Sequence, residues 1–80
     1  MDKKYLYKGT DITIDIIMKI EHVVRIIAEK SRSGFDDCYR EFAGSKTYIA
    51  LQNTESVLWA ESAEFIVDEY YRELGRQREN

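Results

Sequence analysis

His22 and Cys38 are the only histidine and the only cysteine in this 80-residue chain, so they are its whole stock of nitrogen and sulfur metal ligands. A structural zinc site takes four such ligands, and two cannot complete it. A Cys38–His22 nucleophile pair would still need an orienting group and an oxyanion hole. Cys38 falls within an apolar helical stripe, where a small core residue is the commoner role. The carboxylates Glu61, Glu64, Asp68, Glu69 and Glu73 are scattered around one helix. Acid–base chemistry wants a pair in a partly dry cleft, and a chain this short offers little depth for one. They read as a solvated acidic face, or a docking surface for a basic partner. The expectation is no enzyme, no metal, no cofactor and no small-molecule substrate.

Nucleic-acid binding is tested by "FDDCYREFAGSKTYIALQN", a short helix, a glycine turn and a second short helix. With Gly44 as the turn glycine, Arg40 occupies the inward position where a helix-turn-helix wants a small residue. The would-be reading helix offers only Lys46, Gln52 and Asn53 to bases and backbone. Residues 1–34 carry seven Lys/Arg against five Asp/Glu, whereas residues 35–80 carry five against ten. The acidic second half repels phosphate, so a small helix-turn-helix-like DNA-binding regulator is the alternative function and not the leading one.

The elements that must hold these residues are helical. Proline is absent and only four glycines occur, which favours helices joined by short turns. From Ile12 to Ala28, Ile16, Ile20, Val23, Val24 and Ile27 share one face, with Thr10 or Asp11 as cap. Asp15 with Lys19 and Glu21 with Arg25 form acid-to-base pairs one turn apart. The alternation in "DITIDI", taken with "YLYK", also admits a hairpin turning at Gly9. The helical period runs for four turns while the alternation stops after three apolar positions, so the helix is preferred.

In "SGFDDCYREFAG" Ser33 and Asp36 form a capping box, Gly44 ends the helix, and Phe35, Cys38, Tyr39 and Phe42 make one buried stripe. "SAEFIVDEYYRELG" closes the domain with Ser62 as cap and Gly75 as stop; Ala63, Ile66, Val67, Tyr70 and Leu74 form its inner face. The intervening "SKTYIALQNTESVLWAES" has Ser45 as a cap and Asn53 and Thr54 as turn formers. Tyr48, Leu51, Leu58 and Trp59 are expected to pin it to the core.

An apolar share of 44% with 34% charged residues is globular composition, and eighty residues make one domain near the lower size limit. The fold class expected is all-α, a small bundle of three to four helices with a capped, partly helical connector before the last. Residues 1–10 are read as a flexible or loosely docked arm, 11–75 as a single helical domain and 76–80 as a frayed tail. No segment approaches the roughly 20 apolar residues that span a bilayer. The start lacks the pattern of a secretory signal, and a single cysteine suits a reducing compartment, so the cytoplasm is expected and no membrane partner.

More apolar residues are present than one core face accounts for. Ile14 and Met18 lie one turn apart on a second line of the first helix, and Phe65 lies off the inner face of the last. A cluster of this kind marks a protein contact unless Tyr5, Leu6 and Tyr7 fold back and cover it.

From Phe42 to Glu73 the chain carries an aromatic, Ser45, Tyr48, Leu51, Ser56, Leu58 with Trp59, Ser62 and a final helix reaching Glu73. This pattern resembles a family of short uncharacterised bacterial all-α proteins that tend to be encoded beside predicted ADP-ribosyltransferase-like proteins. The resemblance implies a partner or antitoxin-like role and carries no catalytic residues. The function expected is a non-catalytic protein–protein interaction module, a regulatory partner of an operon neighbour or a homo-oligomer, with Ile14, Met18 and Phe65 at its interface.

Overall fold

The structure, a computed structural model, describes residues 4–79. Residues 1–3 of the expected arm and residue 80 of the expected tail lie outside the described residues. The elements are β1 (Leu6–Tyr7), β2 (Thr10–Asp11), α1 (Thr13–Ser31), α2 (Phe35–Ala43), α3 (Lys46–Gln52), two 3-10 turns (Thr54–Ser56 and Leu58–Ala60) and α4 (Ala63–Glu79). Helix packs on helix, so the all-α bundle is the architecture found, with a small antiparallel hairpin added.

The hairpin corrects the reading of the amino-terminal arm. Lys8 and Gly9 both take positive φ, 50° and 81°. That pair of left-handed residues makes the tight turn whose twist matches two antiparallel strands. Leu6 then faces Asp11 and Tyr7 faces Thr10. The Ile12 N–H donates to the Tyr5 carbonyl at 2.7 Å, and the Ile12 carbonyl accepts from Ile16 N–H. Alternation thus governs the chain to Asp11 and the 3.6-residue period governs it from Thr13. The Asp11 carboxylate accepts the Thr13 N–H at 2.9 Å, and hydrogen bonding from the Thr13 hydroxyl first and this N–H second draws its pKa below the usual carboxylate value.

α1 packs against both α4 and α2, and the core lies between them. Val23, Val24 and Ile27 of α1 meet Cys38 and Phe42 of α2, Leu51 of α3, and Ile66, Val67 and Tyr70 of α4. Phe42 is fully buried, with edge-to-face contacts to Tyr48 (centroids 5.5 Å apart) and Tyr70 (5.2 Å). Ser45 serves two helices from one hydroxyl. It donates to the Phe42 carbonyl at the end of α2 and accepts the Tyr48 N–H in the first turn of α3. The turn between the two helices can therefore be two residues long. Ser62 caps α4 through the Phe65 N–H.

Three local expectations fail. Ser33 bonds back to the Ser31 carbonyl and Gly34 takes the cap position of α2, where no side chain caps, so there is no capping box. Phe35, as the first residue of α2, lies outside the stripe, as does Tyr39; both are about two-fifths exposed, and only Cys38 and Phe42 reach the core from that helix. Gly75 does not stop α4, which continues to Glu79. A glycine inside a helix lowers its stability but breaks it only when a left-handed turn follows, and none does here.

Candidate functional site

Apolar side chains that no element of the fold covers gather on the outer side of α1. Ile14, Ile17 and Met18 are 65%, 52% and 63% exposed. Spaced by three and four residues, they form a continuous strip on one helix face. Beside the strip runs a groove of about 490 Å³ bounded by the hairpin, α1, α2 and α3, with walls of Tyr5, Ile17, Ile20, Phe35, Tyr39 and Tyr48. Ile17 belongs to both strip and groove, which joins them into one surface.

The groove is electrically quiet. Glu21 is its one charged lining residue among the described residues, and Glu21 is ion-paired with Arg25 one turn along the same helix. The Tyr39 and Tyr48 hydroxyls lie 3.4 Å apart. That hydrogen bond, followed by burial, pushes the Tyr48 pKa up to about 12, so the phenol stays neutral at physiological pH. Tyr5 closes the far end, its hydroxyl donating to Gln52 at 2.6 Å and its N–H donating to the Thr13 hydroxyl. Aromatic rings with a polar tip on an apolar wall are the composition of protein-contact surfaces, where they bring much area at little conformational cost.

The hairpin does not cover the strip. It leans the other way, against the connector, with the Tyr7 ring edge-on to Trp59 at 5.4 Å. Ile14 and Met18 therefore remain open, and they lie on the same surface as the groove. Phe65, also exposed, is elsewhere; it lines a separate cleft with Leu58, Glu69 and Arg76 between α3, the connector and α4. The three residues singled out from the sequence are thus two on one surface and one on another. Ile17, Phe35 and Tyr39 were missed, because their spacing placed Phe35 and Tyr39 on a buried stripe.

The residues with chemical potential are not brought together. His22 lines an open hollow with Met18, Lys19 and Trp59, whereas Cys38 is buried, with its sulfur 3.5 Å from the Ser31 hydroxyl. Lys19 donates to the Glu61 carbonyl at 2.6 Å, which ties α1 to the connector. Among the described residues no group of three or more His, Cys, Asp or Glu is placed to hold a metal ion.

Glu73 leaves the acidic face to which its sequence neighbours belong. Only 7% exposed, it accepts the Lys46 N–H at 2.8 Å, the Thr47 N–H at 2.9 Å and the Thr47 hydroxyl at 2.7 Å. A carboxylate from α4 thus caps the amino end of α3, where the helix dipole also favours it. Burial alone would raise its pKa. The three hydrogen bonds to the charged form, helped by the Lys46 charge, outweigh burial and lower it.

The connector is a joint held by its own polar groups. Asn53 accepts the Glu55 N–H, and Ser56 donates to the Ala50 and Asn53 carbonyls while accepting the Leu58 N–H. Val57, between the two 3-10 turns, sits at φ 51°, a strained place for a β-branched residue. Trp59 is half-buried, its indole N–H donating to the Thr54 carbonyl at 3.0 Å and its ring packed against the edge of the core, so it braces the connector and pins it to the bundle.

No protein-family model, curated protein or solved structure matches the chain. No helix among the described residues is long and apolar enough to cross a membrane.

Proposed function

We propose that the protein is a non-catalytic protein-interaction module of the cytoplasm, and that it works through the outer strip of α1 and the adjoining aromatic groove. The observation that carries this reading is that Ile14, Ile17 and Met18 are left open beside Phe35 and Tyr39 while the nearby hairpin packs elsewhere. In a small domain, which is short of apolar residues for its core, such a cluster left facing water is a cost that a partner removes. Two kinds of partner suit the surface. One is a second copy of this chain. The other is the product of a neighbouring gene, as the likeness of residues 42–73 to its bacterial family implies, in an antitoxin-like or regulatory role.

DNA binding is less well supported. On α3, the helix that would read bases, Thr47 and Leu51 are buried, the apolar Ile49 is 66% exposed, and the Lys46 N–H is committed to the Glu73 carboxylate. A groove whose only charge among the described residues is an ion-paired glutamate offers little to phosphate.

The test is the double substitution Ile14→Glu with Met18→Glu. Both positions are exposed, so the circular-dichroism spectrum and melting curve should stay close to those of the parent. Oligomeric mass by light scattering, or capture of a co-expressed neighbour, should fall. A variant that keeps both mass and capture would overturn the proposal.

A further inference from the structure

We infer that the occupant of this surface is a second copy of the chain, related by a two-fold axis that lies along α1. The inference rests on the interaction reading above and specifies its partner.

Shape is the first argument. The strip of Ile14 and Met18 stands out from α1, and the groove of Phe35, Tyr39 and Tyr48 runs alongside it, with Ile17 on the line between. An isologous contact requires one patch to carry both a protrusion and the recess that receives it. A two-fold axis running along the Ile17 line sets the strip of each copy over the groove of the other. Met18 of one copy then meets the aromatic wall of its partner, and a flexible thioether against ring edges is a favourable pairing.

Area is the second. Ile14, Ile17, Met18, Phe35 and Tyr39 are between 41% and 65% exposed. Together they leave on the order of 500 Å² of apolar side-chain surface open, at the upper end of what a monomer shows, and most of the roughly 800 Å² that one side of a standard interface buries. Tyr5, Thr13 and Tyr48 at the rim are only partly exposed and add less than the shortfall, which puts the contact at the small end of interfaces and makes the dimer dependent on concentration.

Charge is the third. A self-pairing surface brings each charge near its own image, so an unpaired charge near the axis opposes association. Among the described residues Glu21 is the only charged residue lining the groove, and Arg25 of the same copy already pairs with it. On the far flank of the strip, Met18 borders Asp15, Lys19, Glu21 and Arg25, two acidic and two basic side chains whose signs balance, so two copies meet without a net like charge at the seam.

The experiment is sedimentation equilibrium of the full chain from low to high micromolar concentration, with Ile17→Glu, Ile17→Cys and Phe65→Cys variants alongside. The parent mass should rise toward twice 9.5 kDa. Ile17→Glu should weaken association about tenfold or more while keeping the parent's helical spectrum. A short bismaleimide should join Ile17→Cys chains to each other and leave Phe65→Cys chains single; Cys38 is buried and stays silent. Cross-linking at position 65 but not 17 overturns the proposed axis. A parent that remains monomeric throughout overturns the second copy as occupant. In that case, loss of neighbour capture by the Ile14→Glu, Met18→Glu variant keeps the interaction reading, and a monomer that captures nothing removes both.

Discussion

On the inner side of α1, Ile16, Val23 and Val24 have no contact with solvent, while on its outer side Ile14, Ile17 and Met18 keep more than half their surface open. The residue types are nearly the same. What differs is what stands opposite: α4, α2 and a closed set of hydrogen bonds on one side, and none of the described elements on the other. Among the described residues every buried side-chain nitrogen and oxygen has a hydrogen-bond partner. The inner half is therefore finished by its own sequence. The contrast teaches that an apolar face on a helix records only that something covers it, and the identity of the cover is settled by the other elements.

Substitutions on the two sides should separate this contrast by size of effect. Phe42→Ala removes a fully buried ring that touches Tyr48 and Tyr70, so it should cost about 3 to 5 kcal/mol and leave little folded protein at 37 °C, read by chemical denaturation. A Phe42→Ala protein that melts with the parent would mean that the inner side is not the core.

Glu73→Gln keeps the shape but removes the charge that caps α3, and should cost about 1 to 3 kcal/mol at neutral pH. Its sign with pH is fixed by the lowered pKa of Glu73. A carboxylate held below its ordinary value of 4.5 contributes stability that is present above that value and is lost as pH falls through the lower folded value. The parent should therefore lose stability faster than Glu73→Gln below about pH 4.5, and the two acid-denaturation curves should converge. Parallel curves would sink the capping role.

The smallest effect belongs to the outer side. Ile14→Ser with Met18→Ser, measured at a concentration low enough to keep the chain monomeric, should shift unfolding by no more than about 0.5 kcal/mol. A larger loss would mean that the strip is covered within the monomer.

The sequence made the inner side legible because a 3.6-residue apolar period reports burial directly. Ile16, Val23, Val24, Ile27, Ile66, Val67 and Tyr70 all follow it, and Ser45 and Ser62 cap where their positions imply. The hairpin was half visible. Alternation and helical period overlap across residues 10–14, and only the paired left-handed residues Lys8 and Gly9 show where one gives way to the other. Phe35 and Tyr39 were misread because a nine-residue helix buries only part of its apolar stripe, and periodicity cannot say how deep a short helix sits. Glu73 was unreadable as a cap, since its partners are 26 and 27 residues away and no local spacing records them.

That distance gives the chain an order of assembly. A seven-residue helix has no standing of its own in water, and α3 is pinned by a carboxylate in α4, which is synthesised after it. During translation α1 and α2 can meet early, but α3 has to wait for α4. A ribosome stalled before residue 73 would hold a chain whose first half is ready and whose centre is still searching.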